Sequence, residues 1–240
     1  MMDRVGYLTG YLLKDFSRSL RVVVPPGLLL ALYRVLFQYG GDVPYFAAMG
    51  GVMLGFILVV TTLLLSGAAN RASTYTLLAR LPRRSELLSA SALATGAIML
   101  LLAILFVAFV VAGGQVPLTP ADLLRIAVRW FALFFFLFAF ALHLGRLVAR
   151  RGSNLAAYLV LILCLVSYQR AEYPTLPVLD RLEAAATFIL RPVLATIGGG
   201  PDIATLPLYA AAVLITMLYG LILYLLAAWL FERKDLTWAE

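Results

Sequence analysis

Asn70-Arg71-Ala72-Ser73-Thr74-Tyr75-Thr76-Leu77-Leu78-Ala79-Arg80-Leu81-Pro82-Arg83-Arg84-Ser85-Glu86-Leu87-Leu88 lies between two long apolar runs, and its reading decides the fold. Four arginines and one glutamate on so short a stretch call for water, so the chain leaves the apolar layer here. Thr74 to Leu81 has room for about two helical turns, with Tyr75, Leu78 and Leu81 aligned and Pro82 ending the helix. Arg83-Arg84 follow, and Ser85-Glu86 opens the next apolar helix with serine as a natural N-cap. Charge content alone suits a solvated loop. The aligned apolar face argues instead for a handle that a soluble partner grips.

Working outward, 63% of the 240 residues are hydrophobic and 13% are charged, with a mean hydropathy of +0.98. Soluble domains run near ~45–50% apolar and ~25% charged, so the chain is an integral membrane protein. At roughly 20 apolar residues per span, its length allows about six spans and leaves no room for a soluble domain of ordinary size. A single cysteine, Cys164, excludes an intrachain disulfide. One histidine, His143, with no carboxylate cluster gives no zinc or di-iron site. The net charge of +7 is spread over loops, which fits membrane orientation and anionic lipid rather than nucleic acid. No cleavable signal is expected, because Arg4, Lys14, Asp15, Arg18 and Arg21 interrupt residues 1–21.

That first segment, 1–21, reads as an amphipathic helix on the membrane surface. Val5, Leu8, Leu12, Leu13, Phe16 and Leu20 make one face; Arg4, Lys14, Arg18 and Arg21 make the other. A simple topogenic leader is the plainer alternative. Spans are expected at 22–39, 45–69, 88–112, 124–149, 154–169 and 206–231, with a coupling loop at 70–87, all in one transmembrane domain. Residues 170–205 mix charges, prolines and Gly198-Gly199-Gly200, which suits short outer or re-entrant helices, or an ordinary loop helix. With the N-terminus inside, 13 lysines and arginines fall on inner segments and 5 on outer ones. Both termini are therefore expected in the cytoplasm.

Catalytic motifs are missing. The only lysines are Lys14 and Lys234, so there is no phosphate-binding loop, and neither Gly-x-Ser-x-Gly nor His-Glu-x-x-His occurs. Ser66 with His143 is a weak pairing for an intramembrane hydrolase; His143 reads better as a packing or interfacial residue. Arg34 is the one charge well inside a span, a possible intramembrane polar site or a side chain that snorkels outward or pairs with Asp42. Arg125 and Arg129 share a helix face at the start of the fourth span, suited to Asp122, Asp180 or a lipid phosphate. The aromatic run from Trp130 to Phe140 surrounds its helix and suits lipid and helix packing.

In layout the chain resembles the membrane subunits of type 2 ATP-binding cassette transporters. Arg71, Ser73-Thr74, Leu77-Leu78, Pro82, Arg83-Arg84 and Glu86 match the order of that family's coupling segment, though Asn70 stands where an acid is usual. The ending Trp229 to Leu236 also looks like the family's last span and tail. The resemblance implies an all-α permease of six spans with a surface helix, a cytoplasmic coupling helix between spans two and three, and re-entrant helices before the last. It implies ATPase contacts through Thr74, Tyr75, Leu77, Leu78, Leu81, Pro82, Arg83, Arg84 and Glu86, and an interfacial helix carrying Lys14, Phe16, Arg18 and Arg21. It further implies a plasma-membrane location, a second permease subunit, and a separate cytoplasmic ATPase that holds ATP and magnesium. This chain itself would bind no cofactor and catalyse nothing. Export of a hydrophobic or amphipathic molecule is the implied activity. A six-span scaffold and, less readily, an intramembrane enzyme are the competing readings.

Overall fold

The computed structural model describes residues 2–38, 40–69, 81, 84–114, 116–145, 192–193, 195–197 and 206–233. Every element among them is helical: α1 (Met2–Ser17), a 3-10 turn (Leu20–Val23), α2 (Val24–Leu36), α3 (Val43–Ala69), α4 (Ser85–Ala112), α5 (Pro120–Leu144) and α6 (Leu206–Arg233). Four of these, α3 to α6, are long and apolar enough to cross a membrane. A fifth crossing is added if the bent pair of α1 and the Leu20–Leu36 segment is one broken span. Six spans were expected. The coupling segment 70–80 with Pro82 and Arg83, the run 154–169, and most of 170–205 lie outside the described residues.

The first apolar stretch folds differently from a plain span over 22–39. The α-helical register of α1 ends at Ser17, and the chain turns by 83° into Leu20–Leu36. Pro25 falls in the first turn of α2, where its missing N–H costs nothing. Leu20, expected on the buried face of α1, is 92% exposed because the register is lost before it. Leu8, Leu12 and Phe16, read from sequence as a face toward the membrane, are buried in the protein core, and α1 packs against α4, with Thr9 near Ala90. The end of the bundle that carries α1 is called basal here, and the opposite end distal.

At the distal end, Gly40 takes a φ of 73°, open to glycine, and turns the chain from α2 toward α3. The Asp42 carboxylate then accepts the Tyr45 N–H at 2.8 Å and caps α3, and no ion pair between it and Arg34 occurs among the described residues. Gly114, with φ 61°, makes the next turn. α5 begins at Pro120, four residues earlier than the apolar run suggests, because Thr119 and Asp122 form a capping box. That box engages one oxygen of the Asp122 carboxylate, which still interacts with the charge of Arg125 as the sequence reading offered. Ser85 is not the N-cap of α4. Arg84 holds that position without a side-chain cap, and the Ser85 hydroxyl donates to Glu232 Oε1 at 2.8 Å.

Chain direction follows from the contacts. Trp130 Nε1 donates to the Ala47 carbonyl at 2.9 Å, while a side chain at Gly55 or Gly145 would meet Leu137 or Ser66. α3 and α5 therefore run the same way. The Tyr209 hydroxyl donates to the Arg125 carbonyl at 2.8 Å, and His143 Nε2 bonds the Leu223 carbonyl at 3.0 Å, so α6 runs parallel to α5. α2 and α4 run the opposite way. The core is densest near the distal end, where Phe37, Phe46 and Phe106 are fully buried and pack edge-on or stacked against one another and Trp130. Gly50 admits this cluster: a Cβ there would lie 2.8 Å from the Trp130 ring and 2.9 Å from Phe106.

Candidate functional site

The basal end joins three elements on either side of the coupling segment. Thr9 Oγ1 donates to the Val5 carbonyl at 2.7 Å and also approaches the Ala90 carbonyl of α4 at 3.5 Å. Arg21, expected on the solvent face, is half-buried and donates through Nη1 to the Leu64 carbonyl of α3 at 3.3 Å. A cation near the C-terminal turns of a helix is favoured by the helix dipole and by carbonyls that lack intrahelical partners. α1 and its exit turn thus grip both α3, as it leaves toward residue 70, and α4, as it begins at Ser85. Lys14 and Arg18 remain exposed, together with Tyr7 and Tyr11, while Phe16 is buried.

Of the coupling residues named from the sequence, Leu81, Arg84 and Glu86 are described. Leu81 is half-buried and packs against the bundle's own core, so part of its apolar surface serves the fold. Glu86 is 4% exposed, and its Oε2 finds no hydrogen-bond partner. Nearby, Ser89 and Tyr224 hydroxyls share a 2.9 Å bond, and the Arg233 guanidinium sits 4.1 Å from the centre of the Trp229 ring. The Ser89–Tyr224 bond, with that of Ser85 to Glu232, ties the start of α4 to the end of α6.

At the distal end the sequence had noticed Arg129 but not its partners. Its Nε and Nη2 donate to the Thr196 carbonyl at 3.1 and 2.9 Å, and Nη2 also reaches the Ile197 carbonyl at 3.2 Å. Thr196 is itself 3% exposed, with its hydroxyl bonded to the Val193 carbonyl. A guanidinium carries the fork needed to satisfy two carbonyls at once. Nothing in residue types alone reveals a carbonyl partner. Arg125, one turn earlier, is exposed, and no ion pair joins it to an acid among the described residues. Arg34 sits exposed in the last turn of α2, at the distal boundary rather than in the bundle interior.

Ser66 and His143 are not brought together as a catalytic pair. Ser66 Oγ donates to the Thr62 carbonyl at 2.7 Å, and His143 is committed to Leu223. No group of three or more metal-ligating side chains occurs among the described residues.

α4 and α5 make no extended backbone contact, and a groove of about 660 Å³ opens between them. Ala92 to Ala103 of α4 and Ala127 to Phe138 of α5 supply its walls, with Leu58 of α3 below and Met217 of α6 at one edge. Thr95 is the sole polar side chain in this lining; it is 1% exposed and its hydroxyl is unpartnered, as are those of Ser91 and Thr216. The buried hydroxyls of Thr61 and Thr62 on α3, in contrast, bond back to Ile57 and Leu58 carbonyls. Comparison with protein-family models, with curated proteins and with solved structures finds no match to this chain.

Proposed function

We propose that this chain is the membrane-spanning permease subunit of an ATP-driven transporter of the type 2 ATP-binding cassette class. In this reading it sits in the plasma membrane with both termini in the cytoplasm and pairs with a second permease subunit. It exports a hydrophobic or amphipathic molecule and takes its energy from a separate cytoplasmic ATPase. The observation that carries the reading is the transverse helix α1. It meets the following helix at 83°, seats Leu8, Leu12 and Phe16 in the core, and through Arg21 holds the end of α3. A push on the 70–84 connection would therefore move α1, α3 and α4 together, as a rigid-body switch requires.

Chain direction supports the full count of six spans. α3, α5 and α6 run one way and α2 and α4 the other, an arrangement that a further crossing between Gly145 and Leu206 would accommodate. The apolar run at 154–169 is the stretch available for that crossing. Arg129 then holds the 192–197 segment beside α5, in keeping with a re-entrant element ahead of α6.

Affinity purification from the native membrane tests the assignment. An ATPase of the cassette class should co-purify, be lost with Leu78→Asp, and hydrolyse ATP faster when transported molecule is added to the reconstituted complex. Leu78 is preferred to Leu81, whose substitution would also disturb the core. Retention of every soluble partner by Leu78→Asp defeats the coupling role, and a bound partner without ATP hydrolysis points to a scaffold.

A further inference from the structure

We infer that the groove between α4 and α5 is a binding site for an anionic amphiphile of the phospholipid class, with the phosphate at Arg125 and one tail in the groove. The inference rests on these helices spanning a membrane and is independent of the transport reading.

Three observations converge. The first is charge. Arg125 is exposed at the distal end without an ion pair among the described residues, and Arg129 lies one turn below it. Among the described residues, the groups facing this pair are few: Asp122, held in the Thr119 capping box, also feels the Arg125 charge, and the Tyr209 hydroxyl donates to the Arg125 carbonyl. Arg129 meets only carbonyl oxygens there. Among the described residues, two guanidinium groups against the single Asp122 carboxylate leave a net positive charge where headgroups lie, and a phosphate satisfies it.

The second is continuity. Val128 is three residues from Arg125, on an adjoining part of the same helix face, and it lines the mouth of the groove. Leu124, Val128 and Phe131 are 69%, 44% and 63% exposed and form an apolar strip beside the arginine. The third is length. Ala127 to Phe138 covers about 16 Å at 1.5 Å per residue, close to half of a ~30 Å hydrocarbon core. A tail whose headgroup sits at Arg125 therefore fills the groove through one leaflet and stops near the midplane. The lining is almost wholly apolar, which excludes a second charged group in the depth of the site.

The test uses the full chain, with Trp229 and Trp238 changed to phenylalanine so that Trp130, which lines the groove, is the only indole. The protein is reconstituted into phosphatidylcholine vesicles, and lipids with brominated tails are titrated in as quenchers. Brominated phosphatidylglycerol should quench Trp130 at about one-fifth the mole fraction that brominated phosphatidylcholine needs, the selectivity one basic side chain gives near a surface. Arg125→Gln should abolish that preference while leaving the fold intact, since Arg125 is exposed. Gly96→Leu should weaken quenching by both lipids: a Cβ at Gly96 meets nothing within 4 Å, so the new side chain occupies the groove without moving the backbone. Inorganic phosphate in excess should not restore fluorescence, because the tail holds the molecule in place. Equal quenching by the two lipids, an unchanged preference in Arg125→Gln, or no effect of Gly96→Leu overturns the inference. Displacement by inorganic phosphate overturns it too, in favour of a site for the free anion.

Discussion

Arg129 donates to the carbonyl of Thr196, 67 residues further along the chain, through two nitrogens at once. Buried carbonyls in an apolar layer are costly to leave without a donor. The forked guanidinium meets the Thr196 and Ile197 carbonyls together, and these oxygens in turn face its charge. Arg129→Gln should therefore lower the unfolding free energy by about 1–3 kcal/mol, the cost of leaving buried acceptors unpaired. Arg129→Lys should recover part of the loss, since an ammonium reaches one carbonyl but not the forked pair. Thermal unfolding in detergent ranks the three proteins, and equal midpoints for Arg129→Gln and the parent would remove the clamp from the account.

Arg21 makes the corresponding contact at the other end, 43 residues from its acceptor Leu64. The bond is single and partly exposed, so its loss should cost only about 0.5–1.5 kcal/mol globally. Locally the effect should be larger. In Arg21→Gln, amide hydrogens in the last two turns of α3 should exchange several-fold faster, while those near Trp130 stay protected. Arg18→Gln is the control, because Arg18 is exposed and makes no comparable bond among the described residues. Identical exchange in the two variants would show that the turn after α1 does not hold α3.

Much of this architecture is written in apolar run length. α3, α4 and α6 begin and end within about three residues of their sequence-derived bounds, because uninterrupted apolar runs flanked by charge leave little choice. The start of α5 is less legible. Thr119-Pro120-Ala121-Asp122 is polar enough to read as loop, yet its capping box is what starts the helix. Leu20 was misplaced for a related reason: a periodic face can be projected through a break that only backbone geometry reveals. The candidate sites divide in the same way. Arg125 and Arg129 stand out as charges in an apolar helix, but carbonyl partners have no sequence signature. The α4–α5 groove arises from how far two helices diverge, and no single residue encodes that.

Glycines at helix crossings give a paired prediction. A Cβ at Gly220 would lie 2.7 Å from the Phe135 ring and 3.1 Å from the backbone of Phe136, and backbone cannot yield as a side-chain tip can. Gly220→Leu should therefore separate α5 from α6 and destabilise by about 1–3 kcal/mol or more through overpacking. Gly96→Leu faces open space and should leave the unfolding midpoint nearly unchanged. If both substitutions were equally damaging, the close parallel contact of α5 and α6 would not be the reason for glycine at 220.

Trp130 offers the most direct measure of how the distal core is held. Its ring packs over Gly50 and Gly51, meets Phe46, Phe106 and Phe134, and donates Nε1–H to Ala47. Trp130→Phe keeps an aromatic ring but removes the indole donor and some volume, so its cost should be about 1–2 kcal/mol, set by one hydrogen bond and a small void. Trp130→Ala opens a cavity among three helices, α3, α4 and α5, and should cost about 3–5 kcal/mol. The difference between the two variants isolates ring packing from the hydrogen bond. Introducing Gly51→Ala into Trp130→Ala should then recover stability, because the close contacts of a Cβ there are to the indole, whereas Gly51→Ala alone should destabilise. Simple additivity of the two substitutions would mean that Gly51 is not glycine on account of the tryptophan, and the packing of α5 on α3 would need a different cause.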